Sequence, residues 1–532
     1  MEGTDEVSLA LGRLASGGGG GASSSSSSFS SSATASPLPP LEDAASLPPD
    51  ERAAAVPALA LRRVVDSVQN YLTLRLMAGH ASPMEIAPPV ALLAALHAAN
   101  EEYALLHGGR RALAPQAFVS EFISRNIDLQ RDFSLWARDG RRLLRGGGRS
   151  FSFCAYPFLF DAAAKSAVLG FDAQLQQSAA AHAGAAAALF SGGFFGGGGG
   201  GGAGAPSPFF MLHIRRERML EDALQGIVNQ PDRAALKKPL RVVFAGEEGI
   251  DAGGVKREFF ALIFRQLMSP DFGMFREEGR LAWFNGETLE PPINFELVGC
   301  LCGMAAYNGV LLDVHFPLVV YKKLRGEPLA LSDLDDFQPA LARSLRALLA
   351  HAADDVEEVF GLDWTATTEA FGERRVVELA PGGAARPVTR ANARAYVHAY
   401  LNWLLGAAVA RPFDAFRRGF LSVAAGPALD LFRAEELSLL IAGGDELDFV
   451  ALQHAARYEA PFSAEHRAVR WLWAAVHAMP PDKQRLFLSF TTGSDRAPIR
   501  GLGDLRLIVQ RAGPDSEALP TASTCFNTLL LP

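Results

Sequence analysis

The sequence predicts a mainly helical α+β architecture, and three observations support that prediction. Apolar residues recur at helical spacing through residues 57–185. Helical and strand-like patterns alternate from 209 to 532. Two low-complexity stretches, 1–56 and 186–208, stand outside both regions. The chain has 532 residues, 49% of them apolar, which is enough for about two to four domains with sizeable cores.

Residues 1–56 are rich in Ser, Gly and Pro and include the serines 23–28. Such a composition buries too little apolar surface to offset the entropy of ordering, so disorder is expected. In 57–185, Leu61, Val64, Val65, Val68 and Leu72 fall on one helical face, and Val90 to Leu106 repeats the pattern. The aromatic segment from Phe151 to Phe160, interrupted by Pro157, reads as a core-packing strand or turn. Residues 186–208 include the glycines 196–202 and read as a flexible linker between folding units. Beyond it, Arg215 to Ile227 reads as an amphipathic helix and Leu240 to Phe244 as a strand. A Gly-rich turn, Gly246 to Gly254, leads into a helix over Val255–Met268. Arg394 to Leu405 is helical. Gly443-Gly444 breaks the pattern after Leu437–Ile441, and a helix-rich stretch follows to Phe490. Leu505–Val509 and Phe526–Leu531 read as short strands flanking a loop, which puts Cys525 where the loop enters the last strand.

Composition excludes several classes. The net charge is -8, with no basic block and no zinc-finger spacing, so nucleic acid is not an expected partner. The four cysteines, Cys154, Cys300, Cys302 and Cys525, are too few and scattered for a disulfide framework and form no CxxC. Residues 1–13 lack a signal-peptide pattern, and the longest apolar run, near Tyr400–Ala410, is too short for a bilayer core of about 30 Å. The expectation is a protein of a reducing compartment, cytoplasm or nucleus, with no membrane insertion.

The turn Gly246–Gly254 invites a phosphate-loop reading, but it lacks GK[ST], and Glu247, Glu248 and Asp251 would repel phosphate. A structural strand-to-helix turn is the better reading. Cys300 and Cys302, two apart on a helix, face different ways and make poor joint metal ligands. No HExxH or GxSxG occurs. His315, beside Asp313, reads as a core or surface histidine, and no metal or cofactor is expected. Cys525 by its local pattern alone is either a small buried hydrophobe, the commoner fate, or a nucleophile presented on a stiff element. A cysteine hydrolase would need a histidine brought to it by the fold, and the nearest upstream is His477. Transfer between thioesters needs little base, because the leaving group is itself a good thiolate.

The segment from Leu519 to Pro532 resembles the active-cysteine motif of HECT-type ubiquitin ligases: Leu-Pro, a polar stretch, Thr-Cys-Phe-Asn, then an apolar strand. Further blocks match in the family's order: Arg215-Arg216 with Glu221 to Leu224; Gly249 to Gly254 with Glu258-Phe259-Phe260; Trp283-Phe284-Asn285; Leu312 to Pro317; Phe416 to Phe420; and Phe490 to Pro498. The wording is most similar to the single-HECT ligases of the Angelman type, whose pre-HECT region the segment from Phe151 to Asp161 also resembles.

The resemblance implies a helical pre-HECT region over 57–185 and a bilobal catalytic unit. A helical N-lobe would span 209–442, a hinge 443–446 and a small α/β C-lobe 447–532. Cys525 would take the C-terminal glycine of ubiquitin from a conjugating enzyme as a thioester and pass it to a lysine of a protein substrate. Thr524 and Asn527 match neighbours of the family's nucleophile, and Arg496 matches the arginine of the Thr-Gly-x-x-Arg turn on the C-lobe. Leu341, Leu345, Phe360, Leu362, Tyr396 and Tyr400 match the groove that receives the conjugating enzyme. Each of the six reads equally as ordinary core from its type alone, although as a set they suit an interface hot spot.

Three departures accompany the resemblance. Ser523 stands where many members have His. The Angelman-type zinc module is absent, with only Cys154 ahead of the catalytic unit. The sequence stops at Pro532, where the resemblance leads one to expect a final helix and a tail. The last departure raises an alternative, a non-catalytic or transfer-impaired binder of ubiquitin-charged conjugating enzyme.

Overall fold

The computed structural model describes residues 49–79, 82–106, 111–143, 151–190, 209–247, 254–370, 372–514 and 516–532. The expected disorder of 1–48 and most of the Gly-rich linker lie outside the described residues, as does the centre of the turn at 246–254. Two compact units divide between Val168 and Leu169.

In the first unit, helix α1 (Pro49–Met77) begins inside the stretch expected to be disordered. Residues 49–56 are helical, as the first turns of a helix whose later part buries Val65 and Leu72. Helix α2 (Pro83–Leu106) buries Ile86, Val90 and Leu93, and the Glu85 carboxylate accepts the Ser82 N–H at its start (2.9 Å). Helix α3 (Glu121–Asn126) is capped by Ser120, whose hydroxyl accepts the Ile123 N–H. Helix α4 (Leu129–Leu143) carries Asp132, whose carboxylate accepts the N–H groups of Phe153 (3.1 Å) and Cys154 (2.9 Å). Those bonds fold the aromatic segment into two 3₁₀ turns, Phe153–Ala155 and Pro157–Leu159, which settles the strand-or-turn question in favour of turns. Helix α5 (Ala162–Phe190) runs past the expected linker boundary at 186.

The second unit takes in the part of α5 from Leu169 on and, beyond the linker, strand β1 (Phe210–Ile214), which the sequence did not single out. The helix expected over Arg215–Ile227 is instead three pieces: a 3₁₀ turn at Arg216–Arg218, α6 (Met219–Ala223) and a π turn at Leu224–Val228. The Asp222 carboxylate accepts the Arg215 N–H (2.7 Å) and pairs with its guanidinium (2.6 Å), which ties the start of this segment. The π turn lays Gly226 on β1, where a Cβ would lie 2.5 Å from Leu212 Cδ1. Strand β2 (Leu240–Phe244) occupies the residues expected and pairs parallel to β1.

Helix α7 (Gly254–Leu267) follows, then the hairpin β3 (Phe275–Glu278) and β4 (Leu281–Phe284). Helix α8 (Pro292–Asn308) is buried along most of its length. Next come α9 (Leu318–Arg325), α10 (Pro339–Ala350), α11 (Val356–Phe360), the hairpin β5 (Thr365–Ala370) and β6 (Glu373–Glu378), α12 (Ala393–Leu405), α13 (Ala410–Ala424) and α14 (Ala434–Ala442). Helices α8 and α13 approach backbone to backbone. A Cβ on Gly299 would lie 2.0 Å from Phe416 O, and one on Gly419 would lie 1.9 Å from Glu296 O.

Residues beyond 446 build their own core on a small sheet. Helices α15 (Phe449–Ala455), α16 (Arg467–Ala478) and α17 (Pro481–Thr492) contribute Phe449, Leu452, Val469, Trp473, Phe487 and Leu488 to it. The strands are β7 (Arg457–Tyr458), β8 (Ile508–Arg511), β9 (Thr521–Ser523) and β10 (Thr528–Leu531), in the order β7-β8-β10-β9. Strands β7 and β10 lie parallel to β8, and β9 lies antiparallel to β10. Both expected strands start late. Leu502–Asp504 is a 3₁₀ turn, and the ladder begins at Ile508 and Thr528, where the partner strands reach.

Candidate active site

Cys525 does not sit at a loop-to-strand entry. It occupies a one-turn 3₁₀ helix, Thr524–Phe526, between the paired strands β9 and β10. Strand pairing on both sides leaves too few residues for a wide loop, and Asn527 closes the turn in the left-handed region at φ 50°. Asparagine tolerates that conformation better than most residues. The Asn527 N–H reaches Thr524 O (3.3 Å), and its carbonyl accepts the Ile508 N–H (2.8 Å), which anchors the turn to β8. Thr524 packs on Gly493, where a Cβ would lie 3.5 Å from Thr524 Cβ.

The Cys525 side chain is half-buried and the thiol is free. Burial, then the Glu258 carboxylate, push it above its ordinary range, while a hydrogen bond from Thr524 and the Arg257 guanidinium pull the other way. No histidine is among the described groups that shift the Cys525 thiol. Glu258 and Arg257 lie on α7, and Glu258 also pairs with Arg216 (2.9 Å). In the sequence Glu258 stands out only as part of the Glu258-Phe259-Phe260 block. Its sequence distance from Cys525 hid the relation.

Arg496 meets the segment around Gly443. Its Nη1 reaches Gly443 O (3.4 Å) and Asp445 Oδ2 (3.8 Å). Gly444 and Ala497 exchange backbone hydrogen bonds (2.7 and 2.9 Å), so this arginine braces the crossing of 443–445 with the turn before Pro498. His315 is more engaged than its sequence context suggested. Its ring nitrogens lie 3.7 Å from Asp313 and 3.7 Å from Asp495. Donor atoms of the three converge within 4.8 Å, but Arg280 also approaches Asp495 (3.5 Å), and His315 is the first cause holding the Asp495 carboxyl below its ordinary range. The Arg280 guanidinium thus offsets part of the negative charge of this cluster. The other three cysteines are buried, and desolvation raises each thiol.

The six expected groove residues cluster around α10, α11 and α12. Tyr396 is 3% exposed and sits between Trp364 (6.1 Å between centroids) and Tyr400 (6.0 Å). Leu345 is 4% exposed. These two are buried, while Leu341, Phe360, Leu362 and Tyr400 are partly open. Phe360 meets the His351 ring edge-on at 5.5 Å. Val359, 56% exposed, and Leu349 add apolar surface that sequence reading passed over.

Residues 261–532, just over half of the chain, match the family model for the HECT domain (ubiquitin-transferase). The chain belongs to the HECT-domain family. Its matched region ends with the Cys525 turn and β10. Among curated relatives, the probable E3 ubiquitin-protein ligase HERC4 of Homo sapiens is 37% identical over 450 residues, covering 83% of this chain and 41% of that protein. The probable E3 ubiquitin-protein ligase HECTD2 of Mus musculus is 33% identical over 491 residues, covering 88% and 61%. The probable E3 ubiquitin-protein ligase mug30 of Schizosaccharomyces pombe is 32% identical over 509 residues, covering 88% and 59%. The chain thus spans between about two fifths and three fifths of the length of these relatives. Among the described residues, no helix is long and apolar enough to cross a membrane.

Proposed function

We propose that this chain is a ubiquitin transferase that works through a thioester on Cys525, with a ubiquitin-charged conjugating enzyme as donor and a protein lysine as acceptor. One observation carries the reading: in a chain of the HECT-domain family, the single cysteine that is not buried stands on a tight turn between two strands. The thiolate attacks the thioester carbonyl at the C-terminal glycine of ubiquitin. The new C–S bond forms as the bond to the conjugating enzyme's sulfur breaks, and that enzyme leaves as thiolate. A neutral lysine amine then attacks the Cys525 thioester, an isopeptide bond forms, the thiolate departs and the amine proton passes to solvent. Both sulfurs are good leaving groups, so the exchange needs little base.

The partly open apolar residues Leu341, Phe360, Leu362 and Tyr400 are the proposed docking surface for the conjugating enzyme, with Leu345 and Tyr396 setting its shape. Thr524 and Asn527 shape the nucleophile's turn. Arg496 holds the crossing at residues 443–446, the proposed hinge between an N-lobe (209–442) and a C-lobe (447–532). The free thiols of all four cysteines suit a reducing compartment, and cytoplasm and nucleus are the proposed sites of action.

The test is a reaction with activating enzyme, conjugating enzyme and ubiquitin, resolved on a non-reducing gel. The wild-type chain should form an adduct that a reducing thiol removes, and Cys525→Ser should abolish that adduct. An equally intense reductant-sensitive adduct on Cys525→Ser would exclude Cys525 as the acceptor.

A further inference from the structure

The first turn of α7 meets the nucleophile's turn through a glycine. A Cβ on Gly254 would lie 2.5 Å from Cζ of Phe526, 2.7 Å from Cε1 and 3.0 Å from Cε2, so the far edge of the ring rests on the bare Cα. Gly254 is buried, and its φ lies outside the left-handed region, so the position needs glycine for space rather than for backbone conformation. Phe526 directly follows Cys525 in the same 3₁₀ turn, and wherever the ring is seated the sulfur is carried with it. Behind the turn, Thr524 rests on Gly493. The Cys525 turn is thus held on one side by its own subdomain and on the other by α7, whose residues Arg257 and Glu258 act on the thiol. The Phe526 side remains breakable, because 52% of that residue is still exposed to water.

We propose that Gly254 is a positioning residue for Cys525: its bare Cα seats the Phe526 ring, and the seated ring holds the sulfur against the first turn of α7 in a shielded arrangement that must lift before an acyl group is received. The proposal rests on the reading of Cys525 as an acceptor. A conjugating enzyme carrying ubiquitin is far larger than the space left beside a half-buried thiol pressed on α7. Lifting the turn also removes the burial and the Glu258 carboxylate that disfavour the thiolate, so unseating and activation are one movement.

The experiment alkylates the full-length chain with iodoacetamide across a range of pH and follows the Cys525 peptide by mass spectrometry. It compares wild type, Gly254→Leu, Phe526→Ala and the double variant. Each single variant should be alkylated about three- to tenfold faster at neutral pH, with its pH midpoint moved down, and the double variant should be no faster than the faster single. Wild-type rates and midpoints in both singles, or effects that multiply in the double variant, would overturn the seat. If Gly254→Leu fails to fold, Phe526→Ala adds no atom and carries the same expectation. Alkylation uses no ubiquitin. A chain that shows these shifts yet forms no thioester refutes the acceptor reading and keeps the seat, whereas normal thioester formation without the shifts does the reverse.

Discussion

Asn527 is, among the described residues, the non-glycine with a left-handed backbone, and it stands two residues after Cys525. Its conformation lets the chain pass from the Cys525 turn into β10 while its own carbonyl stays on β8. The thiol that this turn presents is not activated at rest, since burial and Glu258 favour the neutral form. Replacing Glu258 with Gln removes a carboxylate that raises the thiol. The thiol's midpoint should move down toward its ordinary range, and alkylation at neutral pH should rise about two- to threefold. An unchanged pH profile of Cys525 alkylation in Glu258→Gln would show that the carboxylate does not act on the sulfur. Sequence alone identified the cysteine and its immediate neighbours. It could not identify Glu258 as a neighbour, because nothing in local spacing relates α7 to the last strands.

At the scale of elements, helices with a regular apolar face were legible. The ranges read as Val255–Met268 and Arg394–Leu405 became Gly254–Leu267 and Ala393–Leu405, since 3.6-residue periodicity directly reports a buried face. The segment after β1 was not legible, because its apolar spacing suits a helix while Gly226 must meet Leu212 and the turn widens to a π register there. The strand ends were misjudged for a related reason: strands end where their partners end, and partners are remote in sequence. The packing of α8 on α13 depends equally on remote positions. In Gly419→Ala the new Cβ would collide with the backbone carbonyl of Glu296, which no rotamer change relieves. The helices would have to separate, at a cost of about 3 kcal/mol or more. Urea unfolding of the alanine variant should show this loss, and a midpoint equal to wild type would mean that the contact is looser than the structure shows.

Across the whole molecule, the C-terminal subdomain joins the helical body by a short crossing that is tightly specified. Gly443 adopts φ 81° and ψ 174°, a region reserved for glycine, and a Cβ there would lie 2.6 Å from Ala497 O. Arg485 holds Asp445 (3.2 Å), Arg496 reaches the same carboxylate, and His315 and Arg280 converge on Asp495. Gly443→Ala should cost about 1–3 kcal/mol and loosen this crossing. Calorimetry should show a lower melting temperature, and limited proteolysis should cut faster at 443–446. Unchanged melting together with unchanged cleavage would contradict the role given to this glycine. The pattern break at Gly443-Gly444 was visible in the sequence. That Gly444 pairs with Ala497, and that Arg496 reaches Gly443 and Asp445 at this crossing, was not.

By itself the sequence determined the local and the ordered features of this protein: which segments have a helical face, which cysteine lies in the Thr-Cys-Phe-Asn motif, and the succession of blocks that places the chain in the HECT-domain family. Periodicity and motif order are properties of neighbouring residues, so they survive without coordinates. Only the tertiary structure decided that Phe526 rests on Gly254, that Glu258 bears on Cys525, and that Leu345 and Tyr396 are buried. Each of these depends on the burial and close approach of groups far apart in the chain, which residue type and spacing do not encode.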